Sequence, residues 1–132
     1  MSDPIADLLI RIKNAALSRH KALLVPYSSQ KENLAKILQR IGLLEKVEVV
    51  KEKAKRNLSL TLAAGEGKIA RIEVKRISKP GKRVYVQAKK IKFFTRGLGE
   101  VIISSPLGLI TAQQALKKKV GGEVLCKIVK LV

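Results

Sequence analysis

The sequence predicts an α+β fold: an N-terminal α-β-α-β-β half over residues 1–64, packed against a mainly β half over residues 65–132 that holds one short helix. Three observations carry the prediction. Apolar residues recur at helical spacing in two segments, both before Gly42. After them the apolar runs are mostly short, rich in Val, Ile and Leu, and bounded by turn-forming residues. The small-residue stretch "AAGEGK", 63–68, separates the two regimes and is the expected internal boundary.

The elements follow in order. Asp3 and Pro4 read as an N-cap and first helical residue. Ile5, Leu8, Leu9 and Ile12 then give an amphipathic helix from residue 4 to about 19. "ALLVP", 22–26, is a short strand stopped by Pro26. Ser29 and Glu32 read as a capping box opening a second helix; Leu34, Ile37, Leu38 and Ile41 mark its buried face, and Gly42 its stop. "EKVEVVKE" and "NLSLTLA" form an expected antiparallel hairpin around the basic turn Lys53–Arg56, which includes Lys55. "IARIEVKRI" and "RVYVQ" read as strands around "SKPGK", with Pro80 and Gly81 making the turn. "EVIIS", 100–104, is a further strand. "TAQQALKKK" is a short helix capped by Thr111 and ended by Gly121 and Gly122, and "EVLCKIVKL" closes the chain as a strand.

Charge narrows the function. Twenty-eight Lys and Arg against ten Asp and Glu leave a formal net charge of +18, which points to a polyanionic partner. The excess is uneven: between Lys68 and Arg96 the only acid is Glu73. Nucleic acid is the first candidate and an anionic membrane surface the second. The longest charge-free run, Val101–Leu116, holds Ser, Pro, Gly, Thr and Gln, so no spanning helix is expected. "MSDPIADLLIRIKNA" carries acids where a signal peptide would carry bases, which predicts a cytoplasmic protein.

Catalytic chemistry finds little support. One histidine, His20, and one cysteine, Cys126, supply neither a metal cluster nor a nucleophile–base pair of the usual kind. His20, between Arg19 and Lys21, reads as solvated; Cys126 alternates with Val124 and Ile128 and reads as core. "GLGEVI", 97–102, lacks the third glycine and the following helix of a dinucleotide fingerprint, and "GEGK", 65–68, lacks the rest of a phosphate-binding loop. No cofactor, metal or small-molecule substrate is expected.

Aromatics are 3% of the chain, too few for a sheet that stacks several bases. Recognition is therefore expected to rest on folded RNA shape, phosphates and 2′-hydroxyls. "RISKPGKRVYV", 76–86, places Arg76, Lys79, Lys82 and Arg83 around one tight turn, with Tyr85 on the strand face of Arg83. The competing account is a solvated turn that protects a sheet edge from aggregation. Within the charge-free run, Ser104, Ser105, Pro106 and Gly108 form an uncharged, hydroxyl-bearing loop, whose plain account is a buried strand-loop-helix with a serine capping the helix.

"DPIADLLIRIKNA", "RISKPGKRVY", "GLGEVIISSPLGLIT" and "GGEVLCKIV" resemble, in order and over nearly the full chain, the signature blocks of the bacterial ribosomal protein eight family of the small subunit. The resemblance implies a two-domain α+β fold with the RNA-binding surface in the C-terminal domain. It further implies direct binding to the central domain of small-subunit rRNA, a role early in assembly and neighbouring small-subunit proteins as partners. The family's Ser-Thr-Ser-Lys-Gly loop, between a strand and a helix, matches Ser104, Ser105, Pro106, Leu107 and Gly108, so the third hydroxyl and the lysine are replaced here. The family's Ser-Lys-x-Lys at the second helix appears as Ser28, Ser29, Gln30 and Lys31, of which only Lys31 carries over. Lys82 stands where the family has an apolar residue, Val129 where it has an aromatic, and Glu123 matches a family acid near the RNA face, to be read either as a solvated acid at a strand start or as one that positions Lys or Arg side chains. The expected RNA-binding set is Ser104, Ser105, Gly108, Tyr85, Arg83, Lys82, Lys79, Arg76, Lys31, Lys55 and Glu123. Two rivals stand beside this reading: a translational regulator gripping a messenger RNA hairpin, its own included, that imitates the ribosomal site, and a small RNA-processing enzyme.

Overall fold

The computed structural model describes residues 3–63 and 71–131, so most of the expected boundary at 63–68 lies outside the described residues. Contacts group the chain into two compact units: one runs to Glu73 and takes in the last residues from Lys130, the other is Val74–Val129.

The first unit sets two helices, α1 (Pro4–Leu17) and α2 (Ser29–Arg40), on a three-stranded antiparallel sheet. Its strands are β1 (Ala22–Pro26), β2 (Leu44–Glu52) and β3 (Lys55–Leu62), in the order β1-β3-β2. Asp3 caps α1 as the sequence predicts, accepting from the Ala6 amide at 3.3 Å. The helix ends at Leu17, short of residue 19, because Arg19 turns left-handed at φ 57° and lets the His20 amide reach the Ala15 carbonyl. The capping box expected at Ser29 is not formed. Ser28, extended at φ −151°, is the N-cap and accepts from the Lys31 amide, while Glu32 accepts instead from the Tyr27 hydroxyl at 3.0 Å. Gly42 at φ 87° ends α2 as expected. Leu8, Leu9, Ile12, Leu34, Leu38, Leu58 and Leu60 are the buried residues beneath the two helices.

The second unit holds most of a five-stranded antiparallel sheet ordered β4-β8-β6-β7, with β5 also paired to β8; the start of β4, to Glu73, and the end of β8, from Lys130, group with the first unit. The strands are β4 (Arg71–Arg76), β5 (Tyr85–Val86), β6 (Glu100–Ser105), β7 (Gly108–Thr111) and β8 (Gly122–Leu131). A 3-10 helix, Ala88–Phe94, and α3 (Ala112–Lys118) complete it. Ile91, Ala112 and Ala115 from the helices meet Val101, Ile103, Ile110 and Val124 from the sheet in one core.

Four local expectations change here. "RVYVQ" does not pair with β4 as a hairpin arm: Lys79↔Lys82 is the only bridge across the turn, and Tyr85 and Val86 pair with β8. "AKKIKFF" looked polar and unstructured, yet burial of Ile91 winds it into the 3-10 helix. The segment after Ser105 is not a loop leading to a helix but a second strand, β7, folded back by Pro106 and Leu107. Thr111 does cap α3, in a full capping box with Gln114, but the helix ends at Lys119, left-handed at φ 56°, before either glycine. Gly122 is required for another reason: a Cβ there would lie 2.2 Å from the Ser104 carbonyl oxygen.

Cys126 is buried in β8 as predicted, and burial, opposed by nearby Arg76, pushes its thiol pKa up to about 12. The folded protein should therefore resist iodoacetamide at pH 8 and react only once unfolded, which mass spectrometry in and out of urea reads directly.

Candidate nucleic-acid interface

Strand register assembles the site. Tyr85 on β5 lies opposite Glu123 on β8, Glu123 opposite Ser104 on β6, and Ser104 opposite Leu109 on β7. Residues opposite one another in a ladder share a face, so these four form a row across the sheet. The next residues inward, Val124, Ile103 and Ile110, are buried in the core, which leaves the row on the outer face. Tyr85 is 69% exposed.

Glu123 anchors one edge of this face. Its Oε2 accepts from the hydroxyl of fully buried Ser78 and, at 3.0 Å, from Nη1 of Arg83. The Ser78 oxygen in turn accepts from the Val84 amide at 3.1 Å. Glu123 is thus not the solvated acid that a strand start suggests; it ties both ends of the basic turn to β8. Within the turn, Lys79 and Lys82 exchange backbone hydrogen bonds of 3.0 and 2.9 Å, and both side chains are exposed without an ion pair among the described residues. Arg76 is half-buried and donates to the Leu125 carbonyl at 2.6 Å, so part of its guanidinium holds the end of β4.

The two serines differ. Ser105 Oγ donates to the Gly108 carbonyl at 2.9 Å and accepts from the Leu107 amide at 3.1 Å, closing the hairpin tip. Gly108 at φ 102° completes that turn, with open space beside its Cα. The Ser104 hydroxyl has no hydrogen-bond partner among the described residues and stands beside Glu123 in the row. Leu107, in place of the family lysine, is 58% exposed at the tip.

Lys31 and Lys55 belong to the other unit and are not brought into this row. Lys31 is only 8% exposed; its ammonium lies 3.2 Å from Asp7 Oδ2 in a cavity of about 350 Å³ lined by Asp3, Pro4, Asp7, Ser28 and Lys31. Partial burial works to raise the Asp7 pKa, but hydrogen bonds from Lys31 and Arg11 and their positive charges outweigh it and hold the carboxyl below the usual aspartate range. Lys55 opens β3, exposed and opposite Glu52.

Sequence reasoning missed Ser78, whose partner Glu123 lies 45 residues away and leaves no local signal. The groups on and beside this face, a short hydroxyl, an exposed phenol and lysine ammoniums, are of the kind that can give and accept hydrogen bonds and attract anions. Among the described residues no group of three His, Cys, Asp or Glu could hold a metal, and no helix is long and apolar enough to cross a membrane.

The Ribosomal protein S8 family model matches residues 3–129. The chain is 48% identical over 128 residues to the small ribosomal subunit protein uS8 of Desulfovibrio desulfuricans, covering 97% of this chain and 98% of that one. It is 43% identical over 129 residues to the protein of the same name from Dehalococcoides mccartyi, and 46% over 128 residues to that of Vesicomyosocius okutanii, at the same coverage.

Proposed function

The chain belongs to the ribosomal protein S8 family, a family of non-enzymatic structural proteins of the small ribosomal subunit, and we propose that it binds the central domain of small-subunit rRNA directly through the outer face of β5, β8 and β6. In this role it supports subunit assembly on the cytoplasmic ribosome, beside neighbouring small-subunit proteins. The observation that carries the reading is the unpartnered Ser104 hydroxyl, set in a row with exposed Tyr85 and bordered by Glu123 and the turn it anchors. A hydroxyl both gives and accepts, which suits a 2′-OH or a base edge; Lys79 and Lys82 supply phosphate attraction at the rim. Ser105 and Gly108 act by shaping the hairpin that presents Ser104. In the other unit Lys55 is exposed and adds to the protein's positive charge, whereas Lys31 is held by Asp7. A messenger RNA hairpin, the protein's own included, that presents the same groove would meet the same face.

Filter binding of the purified protein to a central-domain rRNA fragment and to random RNA, over a range of salt, tests the proposal. The fragment should bind far more tightly than random RNA. Lys79→Ala should lower the slope of log affinity against log salt by about 0.7–0.9, the value for one phosphate neutralised, without changing which RNA is preferred. An unchanged slope would make the turn a solvated sheet edge.

A further inference from the structure

The most basic surface of the second unit is not the row described above. The 3-10 helix and α3 pack together through Ile91, Ala112 and Ala115, and most of their outward positions are cationic, with Phe93, Gln113 and Leu116 between them. Lys89, Lys90 and Lys92 are exposed on one helix, and Lys117, Lys118 and Lys119 at the end of the other. No acid occurs in the sequence from Val74 to Gly99 or from Val101 to Gly122, and none of these lysines makes an ion pair among the described residues. Lys127 adds a further ammonium about 4.0 Å from where a Cβ on Gly97 would stand.

Phe93 lies in this surface. Its neighbour Phe94 packs against the core, while Phe93 is 54% exposed. The Arg96 guanidinium lies 5.1 Å and the Lys92 ammonium 5.6 Å from its ring centre. Local helix energetics do not account for this cluster. Lysines at a helix C-terminus complement its dipole, which covers Lys117 and Lys118, but Lys89 and Lys90 open the 3-10 helix, where positive charge is unfavourable. Mutual repulsion among these exposed lysines is screened in part by salt, and a polyanion bound across them relieves it further.

We propose that the paired 3-10 helix and α3 form a second RNA-binding surface, on which Phe93, flanked by Arg96 and Lys92, stacks one unpaired base while the surrounding lysines hold its flanking phosphates. The inference rests on the RNA-binding reading above and extends it to a single-stranded segment. One exposed aromatic suits one base, and the spread of cations suits the backbone on either side of it.

The chain has no tryptophan, so Phe93→Trp gives a single reporter at an exposed position with no cost to the core. Oligouridylate and the central-domain fragment should each quench its emission as a base stacks on the indole, and polyglutamate should not. In the wild-type background, Lys89→Ala with Lys90→Ala should lower the salt slope for the fragment by roughly one unit or more. Full emission at saturating RNA, quenching by polyglutamate in place of RNA, or an unchanged slope overturns the second surface. If wild type also fails to prefer the fragment over random RNA, the ribosomal RNA reading falls as well, and that arm separates the two failures.

Discussion

Gly122→Ala should destabilise the second unit by about 3 kcal/mol or more, at the upper end of overpacking penalties, and lower its melting temperature accordingly. The added methyl would sit 2.2 Å from the Ser104 carbonyl oxygen, 2.9 Å from its carbon and 3.1 Å from Ile103 Cγ2. Two of those atoms are backbone of the adjacent strand, so no rotamer change relieves them. The only relief is separation of β8 from β6, which pair from Glu100↔Ile128 to Ser104↔Glu123 in the middle of the sheet. The same movement would carry Glu123 away from Ser104 and open the RNA face. Gly81→Ala is the control: a Cβ there meets nothing within 4 Å and its φ is not left-handed, so it should melt within about 0.5 kcal/mol of wild type. Circular dichroism melts of the two variants compare them directly; a stable Gly122→Ala protein would mean the sheet yields more easily than its pairing implies.

Ser104→Ala should weaken binding to the central-domain fragment by roughly 1–3 kcal/mol, the cost of stranding a buried polar partner on the RNA. It should leave the salt slope and binding to random RNA unchanged, because no charge is removed and a non-specific RNA does not engage the face. Folding should be unaffected, since the Ser104 hydroxyl bonds nothing among the described residues. Ser105→Ala differs in kind: it removes the two bonds closing the hairpin tip, so its effect should appear as increased amide exchange at Leu107 as well as weaker binding. Equal discrimination by folded Ser104→Ala and wild type would remove the hydroxyl from the recognition account.

The sequence carried most of the fold because its strongest signals are local. Periodicity located α1 and α2, Asp3 and Thr111 announced their helices, and Gly42 its stop, each acting within a few residues. The errors fall where tertiary pairing decides. Ser28 and Ser29 are chemically equivalent cap candidates, and backbone conformation selects Ser28. β5 forms within the expected strand "RVYVQ" but pairs with β8, and β7, four residues long, is defined by its pairing with β6. The candidate site divides the same way. Residue type pointed to Ser104, Tyr85, Lys79 and Lys82. The roles of Ser105 as a turn closer, Glu123 as an anchor and Ser78 as its buried partner depend on register across 45 residues or on a hairpin the sequence did not reveal. The 3-10 helix was hidden because a single buried residue, Ile91, sets its facing.

Backbone amide chemical-shift mapping of the protein titrated with the central-domain rRNA fragment tests the account most directly. Large perturbations should fall on Lys79–Val86, Ser104–Gly108 and Gly122–Glu123, the residues that pair into or border the row from Tyr85 to Ser104. Perturbations confined to the first unit, with Ser104 and Glu123 unmoved at saturation, would contradict it.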